Sequence, residues 1–133
     1  MLYILLAILF FGFLIAVHEF GHFMTAKLSG VKVNEFSIGM GPQLLKKQGK
    51  ETVYSLRLLP IGGFCAMEGE DESTDDPRSF AKASAWRRFL ILVAGSATNF
   101  LVGILILLCL FSTAKSTAVP TISSFADGCP AYT

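Results

Sequence analysis

Charge is what this sequence has least of. Only 16% of its 133 residues are charged, against about 25% in a typical soluble domain. The deficit is local: no charged side chain occurs from Met1 to Val17, and none from Phe89 to Phe111. The charges present nearly cancel, at a formal net +1. With no basic tail, nothing in the chain suits nucleic acid. Cysteine is also scarce, with three residues: Cys65, Cys109 and Cys129. None shows CxxC spacing, and they are expected in different compartments, which excludes a disulfide framework. Histidine occurs twice, at His18 and His22. Internal repeats and low-complexity tracts are absent.

What is there is apolar. The hydrophobic fraction is 53% and the mean hydropathy is +0.58. A bilayer core of about 30 Å needs roughly 20 apolar residues in a helix. The run from Phe89 to Phe111 is long enough alone, and the first becomes so when continued through His22 to Ala26. The expected fold class is therefore an α-helical integral membrane protein with two transmembrane helices, residues 1–26 and 89–111. A cleaved signal peptide fits the first segment poorly. Its start lacks Lys and Arg, and His18 and Glu19 stand where a small-residue cleavage site belongs.

Ten of the eleven Lys and Arg lie between the two apolar runs, and only Lys115 lies beyond the second. Lys27 and the Arg87–Arg88 pair sit at the membrane edges, where the positive-inside rule acts most strongly. The expectation is a multi-pass protein of the cell membrane, with its N-terminus extracytoplasmic and residues 27–88 cytoplasmic. Within that connector, Val31 to Gly41 and Thr52 to Leu59 read as extended runs around a polar turn at Lys46–Lys50, hence a β-hairpin in residues 27–66. Pro60 to Phe64 reads as a flexible apolar loop. Residues 67–88 read as an acidic loop followed by an interfacial segment, with Trp86 suited to the headgroup level. Residues 112–133 turn polar and carry Pro120, Gly128 and Pro130.

The chemistry is concentrated at His18-Glu19-Phe20-Gly21-His22, an H-E-x-x-H pattern. On a helix, residues four apart share a face, so both imidazoles can meet one Zn²⁺. Glu19, one residue along, is placed to act on water as a general base. A charged side chain inside an apolar span costs from about 2.5 kcal/mol upward. A helix built only to span has no reason to carry Glu and two His together. Seventeen residues precede His18, about 25 Å of helix, which puts the motif toward the cytoplasmic side of the bilayer. A catalytic zinc takes three protein ligands, and no third is evident. Glu35 stands in a strand-like segment, the acidic run from Glu68 to Asp76 is expected in water, and Asp127 on the opposite side. Asn99, with Gly95 four residues before it, admits two readings, either helix packing or contact with substrate near the zinc.

Five segments together resemble a known family: HEFGH at 18–22, FSIGMGP at 36–42, LRLLPIGGF at 56–64, DPRSF at 76–80 and AGSATNF at 94–100. In this order they resemble the site-2 proteases, and more narrowly the bacterial regulator-of-sigma-E type. The resemblance implies an intramembrane zinc metalloendopeptidase, with His18 and His22 on Zn²⁺ and Glu19 as the catalytic base. Gly95 and Asn99 would lie close to the active site. The segment from about Val33 to Pro60 would be a membrane-associated β-hairpin presenting an unwound substrate. Residues 112–133 would hold a linker and the truncated start of a PDZ domain. Substrates would be single-pass membrane proteins, such as anti-sigma factors or signal-peptide remnants. The chain departs from the family pattern at Ser96, where proline is usual. The resemblance also places the third ligand, an Asp, in a later helix beyond residue 133, so this chain alone is expected to be inactive. The alternative is a non-catalytic membrane hairpin, or pseudoprotease, that acts by binding partners.

Overall fold

The computed structural model describes residues 1–72 and 74–113. In chain order these form helix α1 (Leu2–Leu28), strand β1 (Val33–Gln48), strand β2 (Val53–Met67) and helix α2 (Ala85–Thr113). The segment read as the start of a PDZ domain lies almost wholly outside the described residues.

Both helices are long and apolar enough to cross a membrane. Neither contains proline. Helix α1 closes with a Schellman arrangement: Gly30 takes φ +78°, its N–H donates to Lys27 O (3.1 Å), and Val31 N–H donates to Ala26 O (2.9 Å). Glycine is favoured there because the left-handed conformation crowds any Cβ. The turn sends the chain directly into β1. Ala26 and Val31, which flank it, belong to a small core with Val33, Phe36, Cys65, Met67 and Ile91. That core sits where the end of α1, the hairpin and the start of α2 meet. Over most of their remaining length the helices turn large apolar side chains outward, among them Leu6, Phe10, Leu92, Leu101 and Leu108.

The two strands pair antiparallel, but neither is straight. Phe36 lies opposite both Cys65 and Tyr54, Ser37 opposite both Phe64 and Ser55, and Ile38 opposite both Gly63 and Leu56. The second member of each pair keeps a constant offset, a parallel register. Each strand therefore bends back, and the first half of β1 is flanked on both sides by stretches of β2. Gly39 (φ +86°) and Gly62 (φ +87°) lie at the bends. At Gly39 a side chain would also meet Leu59 O at 2.5 Å.

Two expectations change here. Pro60–Phe64 is not a loop but part of β2, with Gly63 and Phe64 paired to Ile38 and Ser37. Lys46, Lys47 and Gln48 are not the turn, because they pair with Ser55, Tyr54 and Val53. The turn falls at residues 49–52, closed by Gly49 N–H to Thr52 O at 2.9 Å. Backbone pairing with a bent partner reaches further along both strands than the apolar alternation does. Helix α2 begins at Ala85, so Trp86, Arg87 and Arg88 form its first turn.

Candidate metal centre and active site

Helices α1 and α2 cross on small residues. A Cβ at Gly21 would strike Ala94 O at 2.6 Å and Thr98 Oγ1 at 2.5 Å. A Cβ at Gly95 would strike His22 Nε2, and would lie 2.7 Å from His18 Nε2. Gly21 thus lets the backbones approach, and Gly95 leaves room for the two imidazoles. Thr98 ties the crossing, its hydroxyl lying 3.2 Å from Val17 O on α1 and 2.8 Å from Gly95 O on α2.

Within that crossing the two histidines converge. Their Nε2 atoms are 3.1 Å apart, with the rings edge to face at 79°. His22 Nδ1 lies 2.7 Å from the Ile91 carbonyl oxygen. A carbonyl only accepts, so Nδ1 carries the proton and Nε2 presents its lone pair toward His18. Such a bond to the outer nitrogen fixes tautomer and ring orientation in metal-binding histidines. Two nitrogen ligands at about 2.0–2.1 Å on a tetrahedral ion stand roughly 3.3 Å apart, so the separation here fits one zinc. Among the described residues no His, Cys, Asp or Glu completes a group of three.

Glu19 opens on a cavity of about 570 Å³, lined also by His22, Leu92, the Phe64–Met67 stretch of β2, Glu70 and Asp71. The Cys65 backbone N–H faces its carboxylate. A side chain at Gly63 would meet Ser37 O at 2.8 Å and Glu19 Cγ at 3.4 Å. Glycine therefore lets the strand lie against the helix here. The Phe64–Met67 stretch pairs with β1 along one edge only, among the described residues. Burial, reinforced by the nearby carboxylates of Glu19 and Glu70, pushes the Cys65 thiol up to about 12.

Glu35 is placed apart from the histidines. Its carboxylate accepts from Ser55 Oγ (2.7 Å) and Arg57 Nη2 (3.1 Å) on the hairpin. Burial opposes its charge, yet these two donors hold its carboxyl below the usual range. Asn99 lies one helical turn from Gly95, and its Oδ1 is shielded from solvent without a hydrogen-bond partner among the described residues.

The structure thus brings His18, Glu19, His22 and Gly95 together. Sequence reasoning passed over Gly21, Gly63, Thr98 and the Ile91 carbonyl. Gly21, lying inside the motif, carried a readable signal, since small residues mark close helix approach. A backbone carbonyl or a strand glycine carries none until the pairing is known.

Comparison with known proteins agrees with this geometry. The chain is 48% identical over 128 residues to a Clostridium acetobutylicum protein named "putative zinc metalloprotease". It is 47% identical over 105 residues to one of the same name from Clostridium perfringens, and 45% over 111 residues to one from Fusobacterium nucleatum. These alignments cover 96%, 79% and 84% of this chain, but only 38%, 31% and 32% of those relatives. The chain therefore spans about a third of their length. The model of peptidase family M50 matches residues 6–131, a span holding all of α1 but its first turn, the hairpin, α2 and the paired histidines, and the chain belongs to that family.

Proposed function

We propose that this chain is the N-terminal part of a zinc metalloendopeptidase that cuts single-pass membrane proteins within or near the bilayer. The observation that carries the reading is the pair of Nε2 atoms 3.1 Å apart beside a glutamate that opens on a cavity. His18 and His22 hold the zinc. When bound, the ion supplies a Lewis acid that polarises the scissile carbonyl and lowers the pKa of water toward about 7. The Glu19 carboxylate takes the proton of the attacking water and passes it to the leaving amine. The open edge of β2 receives the substrate as an added strand. That mode recognises backbone and tolerates many sequences. A transmembrane helix must be unwound first, since its carbonyls are otherwise hydrogen-bonded internally. Asn99, whose carbonyl oxygen one turn from Gly95 has no partner among the described residues, is suited to accept a hydrogen bond from the freed substrate backbone. The hairpin lies against the cytoplasmic side of the membrane, where Lys27 and Arg87 flank the spans. The third ligand, an Asp, lies beyond residue 133.

The test is Glu19→Gln in the full-length protein. Zinc content should stay near one per molecule while cleavage of a reconstituted single-pass substrate falls at least about 100-fold, the lower range for a general base. Undiminished cleavage would sink the mechanism. A second reading, a non-catalytic membrane hairpin that binds partners, draws on the two-histidine site seen among the described residues. It would take over if the full-length protein bound substrates but cut none, with and without added zinc.

A further inference from the structure

A second polar cavity lies away from the histidines, at the junction where α1 ends and α2 begins. Its volume is about 180 Å³, some six times the roughly 30 Å³ that one water occupies in the liquid. Arg78, Lys82 and Arg87 line it together with Ser29, Ser79 and Ser84, and no carboxylate does. Elsewhere in the connector Lys27 pairs with Glu51, Lys32 with Glu68 and Asp76, and Arg57 with Glu35. Lys46, Lys47 and Lys50, without an acidic partner among the described residues, stand apart on the hairpin and do not line the recess. Arg78 is half-committed, with Nη1 3.1 Å from Glu51. Lys82 and Arg87 have no acidic partner among the described residues, and Arg87 Nη1 reaches only the Ser29 carbonyl oxygen, at 3.4 Å. Three cations around one recess, two of them uncompensated, select an anion with several acceptor oxygens.

Position decides which anion. Ser29 follows the last residue of α1 and Ser84 precedes the first of α2, so the recess stands at the level where both apolar spans stop. On the adjoining turn of α2, Trp86 is 67% exposed and stacks on Phe89 with centroids 5.4 Å apart. An exposed aromatic pair beside a basic recess offers an apolar wall and a phosphate grip at adjoining depths. We infer that Arg78, Lys82 and Arg87 form a binding site for the phosphate headgroup of an anionic phospholipid, whose chains lie along Trp86 and Phe89. This rests on the membrane placement proposed above but not on proteolysis. The consequence is mechanical: a bound headgroup bridges the end of α1 and the start of α2, the helices whose crossing sets the histidines.

The experiment uses the full-length protein carrying Glu19→Gln, so that lipid binding is read without turnover. It is reconstituted with phosphatidylcholine alone or with added phosphatidylglycerol, then returned to detergent, and retained lipid is counted by mass spectrometry. Phosphatidylglycerol should be retained selectively. Its affinity should fall about 5-fold for each cation removed, hence about 25-fold for Lys82→Gln with Arg87→Gln. Arg88→Gln, which does not line the recess, should change it less than about 2-fold, because an exposed charge off the site is screened from the bound phosphate. An equal loss in Arg88→Gln would mean charge count rather than a site, and would overturn the inference. So would equal retention of phosphatidylcholine. Displacement of the lipid by inorganic phosphate alone would assign the recess to a free anion instead. Carbonate extraction and zinc content of each variant report insertion and folding separately. If the double variant fails to insert, Lys82→Gln alone supplies the reading. Failure of carbonate-resistant insertion in the parent protein would overturn the membrane placement and the lipid assignment with it, whereas insertion without selective lipid retention would overturn the lipid assignment alone.

Discussion

Where α1 crosses α2, polar groups are few and each has a fixed place; at the root of the hairpin they are many and shared. In the crossing, Gly21, Gly95 and Thr98 set the spacing, and the histidines fill it. At the root, Lys32 Nζ lies 3.2 Å from both Glu68 and Asp76, while Asn34 donates to the same Glu68 oxygen at 2.9 Å. Lys27 and Arg78 likewise share Glu51. The difference follows the medium. In an apolar span an unmatched polar group is expensive, so His18, His22 and Thr98 have defined neighbours, and Asn99 Oδ1 is the exception, without a partner among the described residues. In water, exposed ion pairs contribute little singly, and a network with interchangeable partners suffices to tether a loop.

The sharpest break in that comparison is between two glycines of the crossing. Gly95→Ala should abolish zinc binding, with affinity falling about 100-fold or more, at or beyond the upper range for altered ligand support. The atoms its methyl meets are imidazole tips, which can swing aside, so insertion and thermal stability should hardly change. Gly21→Ala meets a backbone carbonyl instead and should destabilise the helix pair by about 1–3 kcal/mol, as overpacking does. Zinc titration and thermal unfolding on both variants separate the two effects. If Gly95→Ala bound zinc normally, the histidines would not meet at that residue.

A smaller effect is expected at Thr98. Thr98→Val keeps the shape and removes the hydroxyl. It should cost about 0.6 kcal/mol, the average for hydrogen bonds between membrane helices, with zinc retained. A loss of zinc instead would mean that the hydroxyl positions the site as well as the helices.

The smallest effect is the acid response of the root. The backbone N–H of Arg78 and the Lys32 ammonium hold the Asp76 carboxyl below its usual range. Asn34, Thr74 and Lys32 do the same for Glu68. Asp76 and Glu68 in turn raise Lys32. Carboxyls depressed in the folded state contribute stability above the ordinary carboxylate range, and lose it as pH falls through their folded values. The lysine contributes below the ordinary lysine range, and loses it as pH rises through its raised value. The tether should thus be intact at neutral pH and loosen in acid. Amide exchange at Glu68 and Phe80, whose N–H groups bond Lys32 O and Glu68 O, should then speed up once intrinsic rates are corrected. Unchanged protection would show that backbone pairing alone holds the loop.

Much of this was legible beforehand, for identifiable reasons. Two uncharged runs of sufficient length leave little but helices that bury their backbone bonds. H-E-x-x-H puts both imidazoles on one face by helical periodicity alone. The hairpin was readable as two extended runs, but not its bends. Pro60–Phe64 looks like a loop because proline and two glycines interrupt it, yet β1 pairs with Ser55 and Leu56 on one side and with Gly63 and Phe64 on the other. Ser37 and Ile38 carry no mark of having two partners.

By itself, then, the sequence determined the two apolar spans and the motif between Val17 and Phe23, because composition and local periodicity act within one helix. Tertiary structure alone decided that Gly95 faces the imidazoles, that the Ile91 carbonyl fixes the His22 tautomer, and that β2 lies along Glu19. Each of these joins groups more than forty residues apart, and only the packing of one element on another brings them within reach.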